Sequence, residues 1–146
     1  MSVRQATIFD CSYICAMLYR MHEESEFDLD KINAKKLSET VLGIINNGVV
    51  FVAIDEDERI IGSVGGSFCF EWWSDEKILG DLWFYVYKSN RSSTAAIDLI
   101  RRFIKAGNGV KMKLGHIYSG DLERKDKFYE RLGLKKAGST YVMETI

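Results

Sequence analysis

Two patterns take turns along the chain: short, dense apolar runs, and stretches whose apolar residues recur every three or four positions. Val3 to Ile8 predicts a short first strand that ends at Phe9-Asp10. Ile14, Met17, Leu18 and Met21 then recur at helical spacing, with Asp10 or Ser12 able to cap the helix. A polar, acidic connection from His22 to Asp30 leads to a second helix, predicted from Lys31 to Asn46. Its apolar stripe is Ile32, Leu37, Val41, Leu42 and Ile45, and Asn47-Gly48 stops it. Val49 to Ile54 is apolar at every position and reads as a strand. Asp55 to Glu58 makes a tight acidic turn, and Arg59 to Phe70 returns as the hairpin partner, with Gly62, Gly65 and Gly66 inside it.

Glu71 to Asp75 connects to the run Ile78 to Val86, a strand so apolar that both faces are expected to be covered. The loop Tyr87 to Ser92 precedes an amphipathic helix predicted over Ser93 to Ala106. Its broad buried face carries Ala96, Ile97, Leu99, Ile100, Phe103 and Ile104, and Gly107-Asn108-Gly109 ends it. A strand from Val110 to Tyr118, a helix from Leu122 to Leu132 stopped by Gly133, and a closing strand or hairpin from Leu134 to Thr145 complete the pattern. The order β-α-α-β-β-β-α-β-α-β predicts an α/β (mixed α+β) fold. An antiparallel meander followed by a βαβ crossover gives a central mixed, mostly antiparallel sheet with helices on both faces.

Composition narrows this picture. With 146 residues and no repeat, linker or shift in composition, the chain reads as one domain over its whole length. A hydrophobic share of 47% excludes a disordered chain, and a formal net charge of -1 excludes one that holds nucleic acid by bulk charge. Cys11, Cys15 and Cys69 lack zinc-site spacing and are expected to be reduced, structural thiols, with no metal bound. The start Met1 to Gln5 has no signal-peptide character and no apolar run reaches membrane-spanning length, so a cytoplasmic location without a membrane partner is expected. Proline is absent, so turns rest on Gly, Asn, Asp and Ser.

The segment most informative about chemistry is Val86-Tyr87-Lys88-Ser89-Asn90-Arg91-Ser92-Ser93-Thr94-Ala95-Ala96, which joins a buried strand directly to a helix start. Backbone N–H groups in such a turn have no helical partner and lie at the positive end of the helix dipole, an arrangement suited to a diphosphate. Arg91 adds a full charge and several donors. Small side chains at Ser92, Ser93, Ala95 and Ala96 let phosphates approach the backbone. On the residues alone, an ordinary helix start capped by Ser92 or Ser93 explains the segment as well.

The segment resembles the acyl-CoA-binding motif of the GNAT N-acetyltransferase superfamily, Gln/Arg-x-x-Gly-x-Gly/Ala. Arg91 stands in its first position, Ala96 in its last and Thr94 where glycine is usual, while Lys88 stands where proline is frequent. Val86 matches the strand-end position whose backbone meets the pantetheine arm. Downstream, Lys127 to Leu134 resembles the family's Tyr-x-x-x-Gly-Phe motif, with Leu134 in the aromatic position. Trp72-Trp73-Ser74, the strand Leu82 to Val86 and Leu114-Gly115 further resemble GNAT-like proteins of tailed bacteriophages, whose location is the host cytoplasm. Ser119-Gly120-Asp121 stands where many members carry Asn.

The resemblance implies the GNAT fold over nearly the whole chain and an acetyltransferase that moves an acetyl group from acetyl-CoA to a primary amine of a small molecule or protein. Acetyl-CoA, as co-substrate, would lie on Val86, Arg91, Ser92, Ser93, Thr94, Ala95 and Ala96, held between the strands ending at Val86 and Tyr118. The Val86 amide would polarise the acetyl carbonyl. Tyr129 would protonate the departing thiolate; the alternative is a ring that only packs on the core. Two readings stand for Asp81: a base whose pKa is raised inside the strand, or a carboxylate at an exposed strand start. His116 is the other candidate base, or a packed, hydrogen-bonded residue. His22, Glu23, Glu24, Glu26 and Asp28 form an acidic segment suited to a cationic acceptor, or else a solvated loop. Trp72 or Trp73 would stack on the acceptor, although adjacent residues of a strand point opposite ways and at least one of the two is expected in the core. A homodimer is among the assemblies this reading admits. A CoA-binding sensor or interaction module without turnover is the alternative function, and a modifier of nucleic acid bases the third.

Overall fold

The computed structural model describes residues 1–25, 29–115 and 122–143. Among them, five strands form one sheet: β1 (Ser2–Gln5), β2 (Val49–Ile54), β3 (Ile60–Phe70), β4 (Lys77–Val86) and β5 (Lys111–Lys113), in the order β1-β2-β3-β4-β5. Neighbours from β1 to β4 are antiparallel, and β5 runs parallel to β4. The helices are α1 (Cys11–Glu23), α2 (Ala34–Asn47), α3 (Ala95–Ala106) and α4 (Leu122–Arg131). This is the mixed α/β architecture that the apolar pattern predicts. No described helix is long and apolar enough to cross a membrane.

Both sheet faces are covered, which is why β2 is apolar throughout. Val50 and Val52 face a core made with Ile14 and Leu18 of α1 and Val41 of α2. Phe51 and Ala53 face the opposite core, where Leu99, Ile100 and Phe103 of α3 are fully buried. A buried polar chain crosses the first core: the Trp83 indole N–H donates to Ser63 Oγ at 3.0 Å, and Ser63 donates to the Phe51 carbonyl at 2.9 Å. Each buried donor finds an acceptor, so Trp83 is fixed in orientation as well as packed.

Several boundaries differ from the sequence expectation for identifiable reasons. β1 ends at Gln5 because Thr7 opens a turn of 3-10 helix over Ile8–Asp10. Asp10 does not cap α1. Its carboxylate turns back to accept the Thr7 N–H at 2.8 Å and two bonds from the Arg4 guanidinium at 2.8 and 3.0 Å. α2 starts at Ala34 rather than Lys31 because the Asn33 side chain caps it, accepting from the Lys36 N–H at 3.0 Å. The strand expected from Val110 to Tyr118 is paired only over Lys111–Lys113, and residues 116–118 lie outside the described residues. The closing strand expected from Leu134 to Thr145 is not formed: the described part, 134–143, joins no sheet. Leu134 instead donates its N–H to the Tyr129 carbonyl at 3.1 Å, closing the end of α4 beyond Gly133, whose φ is 90°.

The pairing of β3 with β4 contains one irregularity. Gly65 opposes Trp83 and Gly66 opposes Asp81, so Leu82 is an extra residue on β4. A Cβ on Gly65 would fall within the Trp83 indole. Gly65→Ala therefore forces the ring from its hydrogen bond and is expected to lower stability by about 1–3 kcal/mol. Urea denaturation measures this, and an unchanged midpoint would show that the indole moves aside without loss.

Candidate active site

β4 is paired with β5 only at Ile78, Leu79 and Gly80. Beyond Gly80 the two strands part, and the edge of β4 from Asp81 to Val86 has no strand beside it among the described residues. The direction of each amide on that edge follows from the register. The Tyr87 N–H donates to the Ile61 carbonyl, so Tyr87 and Ile61 form a hydrogen-bonded pair. Pairs alternate in an antiparallel ladder, so Val86 opposite Gly62 and Phe84 opposite Val64 turn their N–H and C=O groups away from β3. Two outward amides, at Phe84 and Val86, thus face the opening of a fork.

The turn from Val86 to α3 lies at the mouth of this fork. Lys88–Asn90 make one 3-10 turn, and α3 begins at Ala95. The Ala95 N–H is taken by Ser93 Oγ at 3.2 Å, while the amides of Ser92, Thr94, Ala96 and Ile97 meet no acceptor among the described residues. Thr94, in the position where the resembling motif carries glycine, has φ -81° and ψ 3°. That conformation is open to any residue, so the loss of glycine costs the turn nothing in backbone strain. Its hydroxyl turns away to donate to Asp98 at 2.9 Å.

Arg91 is already engaged. Its Nε donates to the Val86 carbonyl at 2.9 Å, its terminal nitrogen meets Glu24 at 3.0 Å, and its guanidinium lies 5.2 Å from the centre of the Tyr85 ring. The Tyr85 hydroxyl donates to the same Glu24 oxygen at 2.7 Å. Burial works against ionisation of Glu24, but the bonds from Tyr85 and Arg91 and the nearby cations prevail and hold its carboxyl below the usual range. Burial and the bond to Glu24 raise the Tyr85 phenol. Glu24 is thus tied to the strand-to-helix turn through Arg91, with its charge offset.

Asp81 lies where the fork closes. Its carboxylate accepts the Gly115 N–H at 3.1 Å, so a side chain occupies the place where the next rung of the β4–β5 ladder would form. Burial pushes this carboxyl up to about 6, against the opposing bond from Gly115, and no cation pairs with it among the described residues. Tyr129 is close enough to feel its charge: burial, and then Asp81, raise the phenol. α4 is held there by the stacking of Phe128 on Phe84, with ring centres 6.1 Å apart. An open groove of about 350 Å³ runs from Asp81 between the end of β3, the start of β4 and the end of β5. Phe70, Glu71, Ile78, Gly80 and Leu114 line it.

The structure thus brings together Asp81 and Tyr129, and separately Val86, Arg91, the 92–96 turn and Glu24. Glu23 is exposed and faces Arg20 at 4.0 Å. Trp72 is 91% exposed, beyond the other end of β4 from Glu24, and a ten-residue strand separates the two. One acceptor therefore does not touch both. His116, Glu26, Asp28, Tyr118 and Ser119-Gly120-Asp121 lie outside the described residues. Sequence reasoning missed the outward Phe84 amide, the Gly115 donor and the groove. The alternation of the strand points to Phe84 once its register is known, whereas no local signal joins Asp81 to Gly115.

No protein-family model matches the sequence, and no curated protein matches it. Solved structures do match over their full length. A variant of the BH1408 protein from Bacillus halodurans superposes with a TM-score of 0.76 at 19% identity, covering 100% of both chains. An acetyltransferase of Trypanosoma brucei matches with a TM-score of 0.72 at 17% identity over 99% of each chain. A ribosomal-protein-alanine N-acetyltransferase of Brucella melitensis biovar Abortus 2308 matches with a TM-score of 0.68 at 15% identity, covering 99% of this chain and 100% of that one. In strand order, in the parted β4 and β5 and in these superpositions, the chain has the fold of the GNAT-type acetyltransferases.

Proposed function

We propose that the protein is an acetyl-CoA-dependent N-acetyltransferase that acts by direct attack of an amine on the thioester. The observation that carries this is the fork: a strand edge with outward amides and a turn whose amides meet no acceptor among the described residues, with a carboxylate and a phenol where the fork closes. The diphosphate of CoA fits the amides of Ser92, Thr94, Ala96 and Ile97, with Arg91 beside them. The pantetheine arm, which carries its own amides, fits alongside β4 as a further strand would, meeting Val86.

Asp81 lies three residues from Phe84 and five from Val86. The Phe84 amide is therefore better placed than that of Val86 to polarise the acetyl carbonyl close to the base. The ammonium first gives one proton to Asp81, directly or through one water. The neutral nitrogen then bonds to the acetyl carbon as the C–S bond breaks, Tyr129 donates a proton to the sulfur, and the second nitrogen proton returns to the Tyr129 oxygen through solvent. The two groups support each other. An ionised Asp81 raises the Tyr129 phenol; once Asp81 is protonated that penalty goes, and the phenol becomes a better acid when the thiolate needs a proton.

Acetyl-CoA should raise the thermal midpoint, because it binds only the folded chain. In calorimetric titration Arg91→Ala should weaken acetyl-CoA about ten- to hundredfold for a lost charge-assisted contact. Glu24→Gln, which loosens the competing partner of Arg91, should strengthen it. Unchanged affinity in both variants would remove Arg91 from the phosphates.

Turnover should rise with pH through about 6 as Asp81 ionises, and Asp81→Asn should abolish that limb along with most of the rate. The same variant should be more stable at neutral pH. Between its unfolded value near 3.8 and its folded value of about 6, Asp81 binds more protons in the folded chain, so its contribution destabilises progressively as pH rises through that window. Relief on the order of 1–3 kcal/mol is expected at pH 7.5. A rate-pH limb that survives in the variant would assign the base elsewhere.

Tyr129→Phe should lower kcat about 10²-fold or more with acetyl-CoA affinity retained. Equal turnover would show that the phenol only packs.

A further inference from the structure

Four glycines sit inside β3 and β4: Gly62, Gly65, Gly66 and Gly80. Packing dictates three of them. A Cβ on Gly62 would press on Val86 at 3.0 Å and Leu99 at 3.1 Å, and one on Gly65 or Gly66 would overlap the Trp83 indole or the Gly80 carbonyl. Gly80 differs. A Cβ there meets Cys69 Sγ at 3.4 Å and the Lys113 carbonyl at 4.0 Å, both ordinary contacts, and its backbone is not left-handed. Glycine weakens a strand interior, so one that neither sterics nor dihedral angle requires marks space kept open above the strand. That space is the groove of about 350 Å³, with Gly80 on its floor and Asp81 at its end.

The charges and walls of the groove restrict what fits. Glu71 and Lys113 neutralise each other at 2.6 Å. Asp81 is then the one groove carboxylate without a cationic partner among the described residues. The remaining walls, Cys69, Phe70, Ile78 and Leu114, are apolar. Building on the acetyltransferase reading above, the geometry points to a specific acceptor class: a primary monoamine carried on an apolar aryl or alkyl body, amine toward Asp81. The groove volume suits on the order of ten to fifteen non-hydrogen atoms. A polyamine would bring a second cation to a wall whose carboxylate is already paired. An amino acid would bring a carboxylate that must break the Glu71–Lys113 pair to find a cation. In the transfer, the amine nitrogen takes the acetyl carbon as the C–S bond breaks, one proton passes from the amine to Asp81, and another reaches the sulfur.

The test follows thiol release from acetyl-CoA with 2-phenylethylamine, hexylamine, spermidine, free lysine and an alanine-led peptide. The two monoamines should show the highest kcat/KM, by about tenfold or more. Gly80→Val fills the floor of the groove and Cys69→Phe fills it from the neighbouring strand, β3. Each should raise the monoamine KM about tenfold while kcat and the thermal shift given by acetyl-CoA stay near those of the unmodified protein. The retained shift also shows that the variants fold. Preference for spermidine, lysine or the peptide, or monoamine KM values unmoved in both variants, overturns the acceptor class while leaving the transferase reading in place. No thermal shift and no thiol release with any amine overturns the transferase reading itself, and the assignment of the groove with it.

Discussion

The structure turns on one substitution of partner: the Gly115 N–H, which would bond to the β4 backbone if the ladder continued, bonds instead to the Asp81 carboxylate. With a side chain wedged into the rung, β4 and β5 part, and the extra residue at Leu82 bends β4 at the same place. Backbone amides left unpaired in a fold are costly unless water or a ligand satisfies them. The edge from Asp81 to Val86, which has no strand beside it among the described residues, is therefore where the proposed cofactor would supply the missing partners. Around it, the burial of Phe103, Leu99 and Trp83 on the two faces supplies the packing that lets the sheet tolerate an unpaired edge.

Two aspartates show how differently the chain treats the same side chain. Asp10 is buried, yet its bonds from Arg4 outweigh the cost of burial, and with the Thr7 N–H they hold its carboxyl below the usual range. Its contribution to stability is present above the ordinary carboxylate range and is lost as pH falls through its lowered value. Asp81 receives backbone bonds from Gly115 and from its own N–H but no cation among the described residues, so burial wins and pushes the carboxyl up to about 6. Asp10 is an anchor for the chain's first turn. Asp81 is held in a state that costs stability, which is the condition a proton acceptor working near neutral pH requires.

Much of this was legible beforehand, for physical reasons that vary from element to element. β2 could be read because a strand buried on both faces must be apolar throughout, and α3 because Leu99, Ile100 and Phe103 repeat at helical spacing. The start of α2 was misplaced because Asn33 acts through its side-chain cap, which outweighs the apolar Ile32 before it. The closing strand is not formed in the described part, 134–143, whose polar and small residues at 135–140 give no apolar face to bury. The turn before α3 was legible as a strand-to-helix junction, but its geometry was not. Thr94 fits where glycine was expected because this turn keeps a negative φ, a tertiary outcome that residue identity does not fix. Arg91 was legible as a charge, but its partner Glu24 stands far earlier in the chain.

β4 then works as a ruler. At its Val86 end lie the free amides and the Arg91 guanidinium, which suit a dianionic group; at its Lys77 end lies a groove with neutralised charges and apolar walls, which suits hydrocarbon. The two environments suit different ligands, so in the proposed reaction a charged nucleotide and an apolar amine would sort to opposite ends of one strand without a gate. They would meet where the strand is kinked, beside Phe84 and Asp81. There the only requirement is that the reacting atoms arrive from opposite directions, and a single strand with an open edge imposes that direction on both.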